Sequence, residues 1–337
     1  SSTTSQPLFP TENDDRDTIK VETTNIELSS GTTAQIMTAR PTPPPPRDKK
    51  TSDTSPRPPL IFIHGSFHAA WCWAEHYLPY FAERGYYATA LSLRGTGGTP
   101  VPPGVRKVTI AEHVEDLAAF VEYIRGVGGD GDEVVPPPCV IGHSFGGPVI
   151  MKYLESLEGR RPPPSSDKFV TSVGMLCSVP PSGNGKMTMR YLRRSLVDSW
   201  KITKGLAMKK CVTDGDLCRT LFFGDDEEES GVTDDDIVTI RSYFGRDSVA
   251  TIDVSDFLKC LPSKSSVDGR APFLSRLETP ALVVGARGDF IVDREGVEET
   301  AYYFGVEPVF LDSSHDVMLG AQWRYGADEI LKWLQND

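Results

Sequence analysis

"CVIGHSFGGPVI", residues 139–150, sets one serine among three glycines between two apolar runs. Cys139, Val140 and Ile141 have the pattern of a short buried strand. Pro148, Val149, Ile150, Met151, Tyr153 and Leu154 recur at helical spacing. Ser144 therefore falls on a strand-to-helix corner. A tight corner of this kind brings the backbones two residues before and after the serine into close contact, where a Cβ would clash, and both positions are glycine (Gly142 and Gly146). The geometry lifts the Ser144 hydroxyl above the carboxyl edge of a sheet, the placement of a nucleophile.

Outward from that corner the chain alternates. "LIFIHG" (60–65), "YATALSL" (87–93), "PCVIGH" (138–143) and "KFVTSVGMLCS" (168–178) read as strands. Helices over Trp73–Arg84, Ile110–Ile124 and Gly147–Leu157 separate them. Strands that alternate with helices build a mostly parallel sheet flanked by helices. "IKVETTNIEL" and "TAQIMTAR", joined at Ser29–Gly31, predict a hairpin before the alternation begins.

Beyond residue 181 the pattern stops. Residues 182–272 carry helical segments ("MTMRYLRRSLVDSW", "LCRTLFF", "DDDIVTIRSYF", "DVSDFLKCL") without strands between them. The alternation resumes with "PALVVGA", a helix over Gly296–Tyr303, "EPVFLD" and a last helix through Trp333. The organisation predicted is a flexible segment 1–18, an α/β core over 19–181 with a proline-rich loop at 40–59, a helical cap at 182–272, and the rest of the core at 273–337.

The chain has 337 residues, 39% of them hydrophobic, enough for a large core, and a net charge of −12. That charge argues against nucleic acid or an anionic membrane surface as the main partner, since either favours a basic patch. No run of about 18 apolar residues predicts a membrane-spanning helix. The six cysteines show no paired spacing and read as free thiols of a reducing compartment. The start at Ser1 rather than Met fits either a removed transit peptide or a trimmed boundary, so chloroplast or cytoplasm is the expected location. A monomer is the expected state.

A serine hydroxyl needs a base to take its proton and an acid to orient that base. In a site built on such a corner the order along the chain is serine, acid, histidine. Five histidines (His64, His68, His76, His113 and His143) precede Ser144, and only His315, in "FLDSSHDVML", follows it. The acid is expected after a late strand: "ALVVGARGDFIVD" offers Asp289, with Asp293 as the reserve and a candidate start of the next helix. Asp316 reads as a capping residue of the last helix. The tetrahedral intermediate needs two backbone donors, expected from the N–H of Phe145 and from Ser66, with Phe67 as the alternative to Ser66.

These features together resemble the α/β-hydrolase superfamily, closely over residues 60–177 and more loosely over 279–333. "HGSFHAAWCW" (64–73) is similar to a segment of the plant methylesterase and hydroxynitrile lyase branch, and "LSLRGTGGTP" (91–100) to a loop widespread among small esterases and lipases. The resemblance implies a serine hydrolase acting on a carboxylic ester. In that branch the lyases place a lysine directly after the catalytic histidine to hold cyanide. Asp316 stands there instead, and its negative charge argues against cyanide binding. Epoxide hydrolases and dehalogenases of the superfamily would want a carboxylate at 144.

Phe67, His68, Trp71 and His143 are the expected pocket residues, an apolar surround suited to a hydrophobic acyl or alcohol part, although core packing explains Trp71 and Trp73 equally well. No zinc spacing, phosphate loop or dinucleotide fingerprint is present, and the acidic run at 224–236 lacks the spacing of a calcium loop, so no cofactor is expected. The rivals are a ligand receptor on the same fold with slow or no turnover, and a cofactor-free lyase or oxygenase.

Overall fold

The computed structural model describes residues 19–41, 57–127, 135–162, 166–273 and 279–336. The proposed segment 1–18 and most of the proline-rich loop at 40–59 lie outside them.

The β-branched and aromatic runs form an eight-stranded sheet in the order β1 (Val21–Glu27), β2 (Thr33–Ala39), β4 (Ala88–Leu91), β3 (Leu60–Ile63), β6 (Cys139–His143), β7 (Ser172–Leu176), β9 (Ala281–Ala286), β10 (Val309–Leu311). β1 pairs antiparallel with β2, and β2 antiparallel with β4, as expected for an added hairpin; every later pairing in this sheet is parallel. Every residue of β3, β4, β6 and β7 is buried, which requires cover on both faces. Helices α3 (Ile110–Val127), α4 (Gly146–Ser156), α11 (Arg294–Phe304) and α12 (Trp323–Asn336) are among those that flank the sheet. Parallel pairing has one consequence for function: the loops that follow β3, β6, β9 and β10 all leave from the same edge.

Two helical expectations break in physically simple places. Residues 73–84 form two helices, α1 (Trp71–Ala74) and α2 (Tyr77–Glu83), with His76 between them in a non-helical conformation. Pro79 lacks the N–H that a continuous helix would donate to Glu75, but is tolerated in the first turn of a new one. Likewise "MTMRYLRRSLVDSW" divides into α5 (Asn184–Arg194) and α6 (Leu196–Ile202) at Ser195, whose backbone is extended and whose hydroxyl accepts from the Asp198 N–H. Trp73 is wholly buried and packs on Phe62, with ring centroids 4.9 Å apart.

The helical insertion is not strand-free. Thr251–Ile252 (β8) pairs in parallel with Lys107–Val108 (β5), two residues each, too short to leave an alternation in the sequence. A second tie is Asp247, at the end of α9 (Asp234–Arg246). Its buried carboxylate accepts from Trp71 Nε1 at 2.8 Å and from the Gly97 N–H at 2.8 Å, and pairs with Arg246. One carboxylate thus fastens the insertion to the start of α1 and to the loop after β4.

Arg94, in the loop after β4, donates to both oxygens of the buried Asp116, and also to Glu112 and Thr32, joining that loop to α3 and the hairpin. Removing one member of a largely buried pair leaves the other uncompensated. Asp116→Ala is therefore expected to lower the free energy of unfolding by roughly 2–4 kcal/mol, measured as a drop in the urea midpoint at unchanged slope.

Candidate active site

The corner after β6 is held under strain. Ser144 has φ 51°, in the left-handed region that costs a residue bearing a Cβ about 1 kcal/mol or more. Its N–H donates to the Leu176 carbonyl at 3.0 Å, and its own carbonyl accepts from Gly147 and Val179 at 3.1 Å each. The glycines are dictated by contact. A Cβ on Gly142 would lie 2.8 Å from the carbonyl carbon of Gly146, and one on Gly146 would lie 2.6 Å from the carbonyl oxygen of Ile63.

The loop after β3 closes on the same point. A Cβ on Gly65 would sit 2.7 Å from Cβ of Ser144, so glycine is what lets the two loops meet. His64 shapes this loop: its Nδ1–H donates to the Gly65 carbonyl at 2.8 Å, and its Nε2 accepts from the Leu93 N–H at 2.9 Å. Burial pushes its pKa down to about 3, so it remains neutral. Among the described residues, neither the Ser66 nor the Phe145 N–H donates to a protein acceptor, which leaves both free for an oxyanion.

Asp289 and His315 come together as their positions after β9 and β10 require. His315 Nδ1 lies 2.9 Å from Asp289 Oδ2, while Asp289 Oδ1 accepts from the N–H groups of Ile291 and Val292 at 2.7 and 2.8 Å. The carboxylate is thereby fixed, and it fixes the tautomer: the Nδ1–H donates to Asp289 and Nε2 keeps its lone pair. Burial lowers the pKa of the imidazole, but the Asp289 charge, its hydrogen bond and the Asp316 charge outweigh it and hold the group above its ordinary value. Asp293 is instead the N-cap of α11, accepting from the Gly296 N–H at 3.1 Å, as the position suggested.

His143 and His68, both expected in the pocket, are buried and hydrogen-bonded between loops. His143 is fully buried beneath the site, and its Nε2–H donates to the His315 carbonyl at 3.0 Å. The residue before the serine thus anchors the histidine loop, with the two imidazole rings 4.7 Å apart. His68 Nδ1 donates to the Ser66 carbonyl at 2.8 Å, and its Nε2 lies 2.9 Å from Asp316 Oδ2. One imidazole therefore ties the loop carrying Ser66 to the loop carrying His315.

Asp316 is not a helix cap. It is fully buried, its N–H donates to the Phe222 carbonyl at 3.0 Å, and α12 begins only at Trp323. The pairing of His68 with Asp316 and the role of Asp247 escaped the sequence reading, because partners 248 and 176 residues apart leave no local spacing. Trp71 is half-buried, stacked on His68 at 5.4 Å and bonded to Asp247.

Phe67 packs with Phe222 and Phe244 from the insertion, and Phe145 meets Phe257 at 5.5 Å. A small cavity of about 50 Å³ adjoins Ser66, Phe67 and Phe145 and reaches His113, Ala250 and Ile252. The site is closed over: Ser144 is 8% exposed and His315 1%. Among the described residues, two clusters offer three ligand atoms within 4.8 Å of one another, His143–His315–Asp316 and Cys177–Asp289–His315. In the second, the Asp289 carboxylate already accepts from the His315 Nδ1–H, and burial together with the Asp289 charge pushes the Cys177 thiol well up, toward its protonated form.

The chain has relatives among ester-cleaving proteins. It is 33% identical over 108 residues to a monoacylglycerol lipase of Mycolicibacterium smegmatis, covering 32% of this chain and 35% of that protein. Over 145 residues it is 26% identical to the esterase PIR7B of Oryza sativa subsp. japonica, covering 40% and 45%. The chain thus matches about a third to under a half of the length of these curated relatives. Epoxide hydrolase A of Mycobacterium thermoresistibile superposes with a TM-score of 0.62 at 16% identity, covering 94% of this chain and 98% of that one, a likeness of fold alone. The sequence profile of the alpha/beta hydrolase family matches residues 60–324. The chain belongs to the alpha/beta hydrolase family.

Proposed function

We propose that the protein is a serine esterase that cleaves a carboxylic ester with a hydrophobic acyl or alcohol part, with residues 182–272 as the cap over its site. The carrying observation is the His315 Nδ1–Asp289 contact at 2.9 Å, in a loop that His143 pins beside the strained Ser144. That arrangement leaves Nε2 as the atom able to take the serine proton.

In the first half-reaction Ser144 Oγ attacks the ester carbonyl while His315 Nε2 takes its proton. The oxyanion accepts from the N–H groups of Ser66 and Phe145. Collapse breaks the C–O bond, and the imidazolium returns the proton to the leaving alkoxide, releasing the alcohol and leaving the acyl group on Ser144. Water then repeats the sequence, with His315 as base toward water and acid toward Ser144, and the carboxylic acid departs. The names of the relatives, a lipase and an esterase, support this class of reaction, and the Phe67, Phe222 and Phe244 rings support an apolar substrate.

A fluorophosphonate should label the wild type on Ser144. Ser144→Ala should lose both the label and turnover of p-nitrophenyl esters, by ~10⁶-fold in kcat. Labelling that survives the substitution would place the nucleophile elsewhere, and labelling of the wild type without sustained turnover would favour a ligand receptor.

The base must be neutral to act. Because the surroundings hold His315 above 6.5, kcat/KM should rise with pH through a midpoint above 6.5 and then level off. Asp289→Asn removes the main raising influence, so the midpoint should move down while kcat falls by about 10³–10⁴-fold. A midpoint unmoved by that substitution would detach Asp289 from His315.

A further inference from the structure

Residues 184–210 run against the character of the rest of the chain. They contain eight lysines and arginines and a single acid, Asp198, in a protein of net charge −12. The inner face of α5 is occupied: Met187 is buried, Arg190 makes two 2.6 Å bonds to Asp293, and Arg194 pairs with Glu295. Lys204 pairs with Asp214, and Lys209 donates to the Ser248 carbonyl. Lys186, Arg193 and Lys210 are exposed and have no carboxylate partner among the described residues, while Lys201 lies over the Phe290 ring at 5.6 Å. Beside them stand large apolar side chains turned to solvent: Leu196 is 73% exposed, Val197 67% and Trp200 60%, with Met189, Leu192 and Met208 also exposed.

A lone exposed leucine needs no explanation, but six large apolar groups within twenty residues, interleaved with unpaired cations, do. Apolar side chains including Trp, interleaved with Lys and Arg, are what binds the boundary of an anionic bilayer: the rings and aliphatic chains enter the acyl region and the cations meet the headgroups. We infer that α5, α6 and the turn through Lys210 form a docking face for an anionic lipid surface. The complementarity is local, and the whole-chain charge conceals it. A cationic partner or a neutral hydrophobic groove would not call for this excess of positive charge.

No helix among the described residues is long and apolar enough to cross a membrane, so the contact is peripheral. The face belongs to the insertion that covers the site, whose Phe222 lies 6.0 Å from the His315 ring. A protein docked there would meet apolar esters where they concentrate. The inference extends the esterase reading without depending on it, because adsorption needs no chemistry at Ser144.

The test is co-sedimentation of the intact protein with vesicles of phosphatidylcholine alone and of phosphatidylcholine mixed with phosphatidylglycerol. Binding to the mixed vesicles should be at least about tenfold stronger, should weaken with added salt, and should shift the tryptophan emission to the blue. Reversing three unpaired cations (Lys186→Glu, Arg193→Glu, Lys210→Glu), or replacing two apolar groups (Leu196→Ser, Trp200→Ser), should each abolish that preference. Near-UV circular dichroism and hydrolysis of a soluble p-nitrophenyl ester should stay as in the wild type, whereas a wild type that binds the anionic vesicles but hydrolyses no soluble ester would count against the esterase and leave the docking face standing. Three results would overturn the docking face: no binding to either vesicle, anionic binding that survives both sets of substitutions, or a dimer in solution that the Leu196 and Trp200 replacements dissociate, which would make a second copy the occupant.

Discussion

The carbonyl oxygen of Ile63 leaves no room for a methyl group on Gly146, and the backbone of Gly146 leaves none on Gly142. This double close approach forces the chain to leave β6 and enter α4 without a wider loop, and holds Ser144 at φ 51°. The strain is offset by backbone bonds to its surroundings: the Ser144 N–H donates to Leu176 of β7, and its carbonyl accepts from Gly147 of α4 and from Val179. Relaxing the corner would lower the hydroxyl into the helix turn, away from Gly65 and the loop that carries Ser66.

The other loops are fixed to that corner by buried imidazoles rather than by chain proximity. His143 reaches up to the His315 carbonyl, and His68 joins Ser66 to Asp316. Three histidines that do no chemistry in the proposed reaction, His64, His68 and His143, thus set the positions of the groups that would. The cost is desolvation of polar rings, repaid by hydrogen bonds in a low-dielectric setting where each counts for more. Asp247 performs the same service between the core and the helical insertion.

Much of this was legible in the sequence, for reasons that can be named. The parallel sheet followed from apolar runs spaced by amphipathic helices. Ser144 stood out because a steric demand for two glycines is a local signal, and His315 because no other histidine follows the serine. Asp289 could be separated from Asp293 by its distance from the strand end, and the structure sets Asp289 on His315 and Asp293 on the start of α11. What stayed hidden was non-local: the β5–β8 pair, and the partners of Asp247, Asp316 and His68. A hydrogen bond between residues 68 and 316 leaves no periodicity, and Asp316 resembled a cap because position alone suggested one. The average charge hid the cationic, apolar face of α5 and α6 in the same way.

A crystal structure of the protein reacted with a phosphonate ester addresses the central claim most directly, since it reports nucleophile, oxyanion donors and base in one experiment. The account predicts a bond from phosphorus to Ser144 Oγ, a phosphoryl oxygen about 3 Å from the N–H groups of both Ser66 and Phe145, and His315 Nε2 facing the adduct with Nδ1 still on Asp289. An adduct on another residue, or one on Ser144 with the imidazole turned away and the oxygen met by neither N–H, would contradict it.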